Sequence, residues 1–456
     1  MIHKYTLGGI NIVLDINSGG VHIVDELTFA ILDYIRPPLS EKCPDNVVMA
    51  LKDDYREEEI ERAYSELYEL YKGDSLFSSD DYRQFAADEA VLNAPVKAMC
   101  LHVAHDCNLR CSYCFASTGD FGSGRRIMDL ETGKRAIDYL LENSGNRRNL
   151  ELDFFGGEPL MNFDVVKEIV KYAREREKAY GKNFRFTITT NGVLLSDDKI
   201  DFINKEMSNI VLSIDGRKSV NDRIRTCIDG SGSYDIIMKK FKNLAKKRGD
   251  KEYYVRGTFT KYNLDFADDV LHLYDEGFDQ ISIEPAVCDE EMDWAITAED
   301  LPTIFAEYER LADEILRIRR KGEHINFFHF MIDLGQGPCA IKRLRGCGCG
   351  NEYIAVTPEG DIYPCHQFVG MEEWKMGSLD GGNLDTQKKK YFAAANLYNK
   401  EGCSDCWAKF YCSGGCNANN QIYAGDVLKP HSLACEMQKK RIECAIMVKA
   451  AMALSE

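Results

Sequence analysis

Cys107-Asn108-Leu109-Arg110-Cys111-Ser112-Tyr113-Cys114-Phe115 follows closely on the apolar run Val96–Val103. Three thiols on one short loop suit one face of a cuboidal iron–sulfur cluster, held by cysteine thiolates, and leave one iron without a protein ligand. A structural zinc ion takes four ligands, so the same triplet completed by His105 also fits zinc. By itself the loop leaves both readings open, and its surroundings separate them.

From Val96 to about Lys321, strand-like runs alternate with amphipathic helical patterns. The strands are expected at Val96–Val103, Leu150–Phe155, Phe184–Thr189, Ile210–Ile214, Tyr253–Phe259 and Gln280–Ile283. Between the fourth and fifth, Ser233–Lys247 places Tyr234, Ile237, Met238, Phe241 and Leu244 on one helical face. Six βα units in series predict a parallel sheet with helices outside, curled into a partial or whole barrel. Chemistry in such folds collects at the carboxyl ends of the strands. The cysteine loop leaves the first of those ends.

C-x3-C-x2-C followed by an aromatic residue, at the top of the first strand of a βα barrel, resembles the signature of radical S-adenosylmethionine (radical SAM) enzymes. The resemblance implies that Cys107, Cys111 and Cys114 hold a [4Fe–4S] cluster with Phe115 beside it. It further implies that the open iron chelates SAM, whose reductive cleavage releases a 5′-deoxyadenosyl radical. Other strand ends match the same family. Phe154-Phe155-Gly156-Gly157-Glu158-Pro159 ends the second strand, where relatives receive the SAM amino group; Thr190-Asn191 ends the third. Ser213, at the end of the fourth, falls where relatives contact the ribose. In Asn221-Asp222-Arg223-Ile224-Arg225, Arg225 becomes the partner for the SAM carboxylate through a charge-assisted bond. Glu284-Pro285 ends the sixth strand near the adenine. Taken singly, a Gly-Gly or Asn-Gly pair is a turn and a lone arginine a solvated or surface-paired charge; their succession on the strand ends carries the reading.

Seventeen cysteines stand in the chain. Without an export signal they are expected to be reduced, and metal-binding or catalytic rather than disulfide-forming. Ten lie between Cys339 and Cys444; Cys43, Cys100, Cys227 and Cys288 stand apart and read as small buried apolar residues. Cys347, Gly360-x4-Cys365, then Cys403-x2-Cys406-x5-Cys412-x3-Cys416 and Cys435 resemble the SPASM extension of radical SAM peptide-modifying enzymes. The resemblance implies two further [4Fe–4S] clusters: an outer one on Cys403, Cys406, Cys412 and Cys435, and an inner one on Cys347, Cys365 and Cys416. The inner cluster either takes Cys339 or Cys349 as its fourth ligand or keeps an open iron for a substrate thiolate; the expectation is the open iron. Paired zinc ribbons are the alternative for this region. Residues 335–430, rich in Gly and Cys, are expected to build little side-chain core, with bound metal supplying cohesion.

Residues 1–90 read as a small α+β module: IHKYTL, NIVLDI and VHIVD as strands, then helices at Glu26–Ile35 and Glu57–Tyr71. Asp74–Pro95 reads as a polar linker. The order resembles the winged-helix, PqqD-like recognition element of peptide maturases, which implies that a leader peptide adds as a strand along Val21, His22, Ile23 and Val24. A dimerisation or bracing role is the alternative. This module holds 8 Lys and Arg against 19 Asp and Glu, in a chain with 57 against 74 and net charge −17. DNA or another polyphosphate is therefore a poor partner, and a basic peptide a better one.

With 45% hydrophobic residues the chain can bury a large core. Its apolar runs are shorter than the roughly 18 residues needed to span a bilayer. The N-terminus lacks the basic, apolar and small-residue pattern of a signal peptide, so the expectation is a cytoplasmic protein with no membrane or nucleic-acid partner. The fold class expected is α/β: a recognition module at 1–90, a partial (β/α)6 radical SAM barrel at 91–321 and a cysteine-rich SPASM domain at 322–456. Together these resemble maturases of ribosomally made peptides, most closely the clostridial SCIFF-peptide maturases. That implies thioether (sactionine) crosslinking of a precursor with a leader sequence, SAM and three [4Fe–4S] clusters as cofactors, and a low-potential electron donor. The alternatives are oxidation of a Cys or Ser side chain in a sulfatase-like substrate, and a non-catalytic iron–sulfur electron carrier.

Overall fold

The computed structural model describes residues 1–87, 92–334, 343–381 and 384–454; Cys339 lies outside them. Strands β1 (Ile2–Leu7), β2 (Ile10–Asp15) and β3 (Val21–Val24) form an antiparallel sheet in that order, so β3 is an edge. Helices α1 (Glu26–Ile31), α2 (Asp45–Leu51) and α3 (Glu57–Lys72) follow. α1 stops short of the expected Ile35, and α2 is an element that its short apolar run did not announce. Val13 of the sheet, Ile31, Val47, Ile60, Tyr64 and Leu67 close one core among them.

This module is tied to the end of the chain. His3 stacks on Trp407, with ring centroids 3.8 Å apart and planes 4° from parallel. The Tyr5 hydroxyl donates to the Glu443 carbonyl at 3.0 Å. The segment expected as a linker is anchored as well: the Ser78 N–H donates to Asp15 Oδ2 at 3.1 Å, and Asp80 pairs with Lys409 at 2.7 Å.

The barrel strands are β4 (Ala98–His105), β6 (Asn149–Gly156), β7 (Asn183–Thr190), β8 (Asn209–Ser213), β9 (Tyr254–Phe259) and β10 (Gln280–Pro285), all parallel to their neighbours, with the two-residue β5 (Arg126–Ile127) antiparallel to the end of β4. On β6 and β7 alternation sets the two faces: Leu150, Leu152 and Phe154, then Phe184, Phe186 and Ile188, are buried in the main core. The intervening helices are α4 (Leu130–Asn143), α5 (Phe163–Tyr180), α6 (Asp197–Glu206), α7 (Lys218–Ile224), α8 (Tyr234–Arg248) and α9 (Phe266–Asp275), with α10 (Leu301–Arg320) after β10. Asp129 starts α4 by accepting the Thr132 N–H at 2.7 Å.

The sheet is wider than six strands. β11 (Asn326–Phe327) extends it beyond β10, and β12 (Tyr353–Val356) pairs in parallel with β4, Tyr353 opposite Ala98. β13 (Asp361–Tyr363) and β14 (Gly377–Ser378) continue it antiparallel. The region expected to lack a side-chain core therefore contributes strands to the main sheet and a core of its own, where Phe368, Phe392 and Ala355 pack with Cys100, Cys349 and Cys365. Helices α11 (Thr386–Ala394), α12 (Lys409–Cys412), α13 (Asn417–Ala424) and α14 (Ser432–Ala453) complete the described chain. Cys43 and Cys100 are buried as expected, whereas Cys227 and Cys288 are partly accessible. Among the described residues no helix is long and apolar enough to cross a membrane.

Candidate functional site

A cavity of about 410 Å³ opens at the carboxyl ends of the barrel strands. Its wall includes Cys107, Cys111, Cys114 and Phe115 from the cysteine loop, Gly156, Gly157 and Glu158 after β6, and Thr190, Asn191, Ser213 and Arg225 beyond. Of the barrel residues expected to hold the cluster or border SAM, Pro159 is off that wall: it is buried and starts a 3-10 turn, Pro159–Asn162.

The Gly156-Gly157 pair acts first on the protein itself. Gly156 has φ +125°, and a Cβ there would fall on the Ala104 carbonyl; one on Gly157 would fall on the Asp106 carbonyl. The Gly157 N–H donates to Ala104 O and the Glu158 N–H to Asp106 O, both at 2.8 Å. The turn thus clamps the backbone that delivers Cys107. Glu158, 1% exposed, accepts from the Thr190 hydroxyl at 2.7 Å and the Asn191 N–H at 2.8 Å. Burial pushes its carboxyl up to about 7 against those bonds. Its role is to lock the ends of β6 and β7 together.

Arg225 is paired. Its Nε lies 3.0 Å from Asp215 Oδ1, and the Tyr113 hydroxyl donates to both Asp215 oxygens at 2.8 and 2.9 Å. Burial works against the guanidinium charge, but Asp215, Tyr113 and Cys111 more than reverse that. Tyr113, inside the cysteine motif, was not singled out from the sequence; its position between Cys111 and Cys114 was the available signal.

The wall also carries Glu284, expected from the sequence at the end of the sixth strand, and groups the sequence did not place. Arg256 of β9 pairs with Glu284 of β10 at 2.8 Å. Arg256 and the nearby His329 overcome burial and hold the Glu284 carboxyl down at about 2. His366, directly after Cys365, lines the cavity beside Phe115 and Phe155, with ring centroids 5.6 and 5.1 Å away. Its Nδ1 is 3.4 Å from the Tyr353 hydroxyl, and burial lowers it to about 4, so the imidazole is neutral. Asn419 and Tyr423 of α13 also reach this wall. The third region therefore closes the barrel mouth.

Burial pushes Cys107 up to about 12 and Cys111 up to about 11, although Arg225 opposes the rise at Cys111. Metal binding displaces the proton from such thiols near neutral pH. Cys107 Sγ has the Leu109 N–H at 3.4 Å and Asn191 Nδ2 at 3.6 Å, donors of the kind that tune cluster sulfurs. Among the described residues no three His, Cys, Asp or Glu side chains converge as one mononuclear ion requires. Three thiols on one loop, near enough that Cys111 and Cys114 act on Cys107, with N–H donors to Cys107 Sγ, fit a cluster held through separate irons.

Eight further cysteines fall into two neighbourhoods. Cys403, Cys406, Cys412 and Cys435 act electrostatically on one another. Cys365 receives a hydrogen bond from the Cys349 thiol, which, with the backbone N–H groups of Gln367 and Phe368, pulls its own thiol down against burial. Cys347 and Cys416 act on the same pair. Cys349 thus stands with the three cysteines of the expected inner set. Val21, His22, Ile23 and Val24 form β3, where Ile23 is 39% exposed and His22 Nε2 lies 2.9 Å from Ser75 O, just past α3.

Residues 101–266 match the radical SAM superfamily. A cysteine-type anaerobic sulfatase-maturating enzyme of Clostridium novyi is 24% identical over 334 residues, 69% of this chain and 86% of that protein. The solved structure of anSMEcpe with bound AdoMet and the Kp18Cys peptide superposes with a TM-score of 0.65 at 18% identity, covering 79% of this chain and all of that one. Streptococcus suis SuiB bound to precursor peptide SuiA gives 0.53 at 17% identity, covering 94% and 97%. The chain shares its fold with these structures, and its residues 101–266 are a radical SAM domain.

Proposed function

We propose that the chain is a radical SAM peptide maturase that joins a cysteine sulfur to an α-carbon in a ribosomally made, cysteine-rich precursor. The carrying observation is the cavity whose wall unites the cysteine loop with Arg256, Glu284 and His366. When bound at a [4Fe–4S] cluster, SAM supplies a 5′-deoxyadenosyl radical that removes one hydrogen atom from a C–H bond. Cys107, Cys111 and Cys114 hold that cluster. Arg225, steadied by Asp215, presents its guanidinium to the SAM carboxylate; Phe115, Gly156, Gly157, Thr190, Asn191 and Ser213 border the cofactor. Arg256 and Glu284 offer opposite charges to the peptide backbone, and neutral His366 offers a ring nitrogen for hydrogen bonding there.

The C-terminal array is read as a SPASM domain with two auxiliary [4Fe–4S] clusters, which a low-potential donor reduces. Cys403, Cys406, Cys412 and Cys435 form the outer set. The inner set is Cys347, Cys365 and Cys416 with Cys349 as fourth thiol, in place of the open iron anticipated from spacing alone. The first module is read as a PqqD-like recognition element that takes a leader strand on β3. The match to SuiB over 94% of this chain, against 79% for anSMEcpe, favours a leader-guided enzyme.

Oxidation of a Cys or Ser side chain is the second reading, favoured by the likeness to sulfatase-maturating enzymes over most of their length. Anaerobic turnover of the reconstituted protein with SAM, reductant and a cysteine-rich precursor separates the two. The crosslink and the oxidation of a serine each remove two hydrogens. Oxidation of a cysteine to the aldehyde passes through a thioaldehyde that water hydrolyses, so that sulfur also leaves as sulfide and oxygen replaces it. Tandem mass spectra with a sulfur-linked fragment and no trapped carbonyl support the crosslink, and a hydrazine-trapped aldehyde supports oxidation.

A further inference from the structure

Lys400 is 3% exposed, a rare position for a lysine without an ion-pair partner. Its Nζ donates to the Gly414 carbonyl at 2.8 Å and to Asn417 Oδ1 at 2.7 Å, and among the described residues no carboxylate pairs with it. Its backbone carbonyl accepts the Cys403 N–H at 3.2 Å. Gly414 lies in Cys412-Ser413-Gly414-Gly415-Cys416, the short run that joins a thiol of the outer set to a thiol of the inner one. Packing fixes the side chain there, since a Cβ on Gly414 would come within 2.6 Å of Lys400 Cδ. Burial lowers its ammonium from the ordinary lysine value, and the cysteines of both sets oppose that fall: Cys403 and Cys412 from one, Cys347 and Cys416 from the other. Lys409, also buried and close by, differs in that Asp80 neutralises it at 2.7 Å.

We propose that Lys400 is a counter-ion shared by the two auxiliary cysteine sets, one buried ammonium that raises the reduction potentials of both clusters together. The inference rests on the reading that both sets hold iron–sulfur clusters. Adding one electron to either cluster adds one negative charge, and a fixed cation in a poorly screened interior stabilises that charge. A single cation between the two sets ties their potentials to one residue. Lys400 is a positioning charge and does not meet the substrate.

The test uses the full-length, anaerobically reconstituted protein in a redox titration followed by EPR, with the barrel cluster's signal as internal reference. In Lys400→Gln both auxiliary midpoints fall, each by about tenfold in its reduction equilibrium, about 59 mV for one electron, while the barrel signal stays in place. Lys400→Arg keeps both midpoints near wild type. Unchanged midpoints in Lys400→Gln, movement of one set alone, or an equal fall in Lys400→Arg overturns the proposal. Should Lys400→Gln fail to hold iron, Asn417→Asp is the second variant. A carboxylate 2.7 Å from Nζ neutralises the ammonium in place, so both midpoints fall; a fall confined to the set containing Cys416 overturns the proposal. Wild-type protein with iron and sulfide for one cluster per chain contradicts the three-cluster reading itself, a result distinct from unchanged midpoints in a fully loaded variant.

Discussion

Arg225 Nε lies 3.0 Å from Asp215 Oδ1, and Asp215 has no exposed surface. The arginine assigned to the SAM carboxylate is thus aimed by a buried partner that the Tyr113 hydroxyl also holds. Removing one member of a buried pair strands the other. Arg225→Ala is expected to weaken SAM binding at least tenfold, about 1.4 kcal/mol. Asp215→Asn, which leaves the arginine present, is expected to weaken it as well. Equilibrium dialysis of the iron-loaded protein measures both, and wild-type affinity in Arg225→Ala removes this arginine from the cofactor site.

Glu158 predicts a pH dependence of stability. Its carboxyl rises from an ordinary value near 4.5 to about 7 in the folded protein. A raised value stabilises the fold below the unfolded value, and that stability is lost as pH climbs through the folded one. Between pH 4.5 and 7 its ionisation therefore costs on the order of 3 kcal/mol. Glu158→Gln should flatten this part of the profile in denaturant titrations at successive pH values. An unchanged slope would assign the dependence to other groups.

Cys349→Ala tests the inner set. With Cys349 as fourth thiol, its loss strips iron from that set or opens a corner that binds added thiol, seen as altered EPR g-values on adding cysteine. Wild-type iron content together with an unaltered spectrum would return the inner set to three protein ligands.

Replacing Val21 and Ile23 with proline removes two N–H groups from β3, the edge strand of the first sheet. Leader binding by fluorescence anisotropy is expected to be lost while SAM cleavage persists. Peptide modification at the wild-type rate would place the docking site elsewhere.

The barrel was legible because its signals are local. Alternation in Asn149–Gly156 and Asn183–Thr190 sets two strands within a residue or two of expectation, and the thiol spacings mark both cysteine regions. What escaped depends on distant pairing. β12 is four residues long and lies beside β4, more than two hundred residues earlier; a strand buried that way shows no alternation to read. His366 reaches the cavity only because that pairing brings the third region over the barrel mouth. Cys349 looked too close to Cys347 to share its set, and only the packing of Cys349 against Cys365 joins them.

The central claim is that Cys107, Cys111 and Cys114 hold a cluster with a corner open to SAM. Quantifying 5′-deoxyadenosine after anaerobic incubation with SAM and dithionite tests it most directly, comparing wild type with the Cys107→Ala, Cys111→Ala, Cys114→Ala triple variant. The account predicts 5′-deoxyadenosine from wild type, and none from the triple variant although it retains iron at its other cysteines. Equal product from both, or a colourless wild-type protein without sulfide after reconstitution, would contradict it.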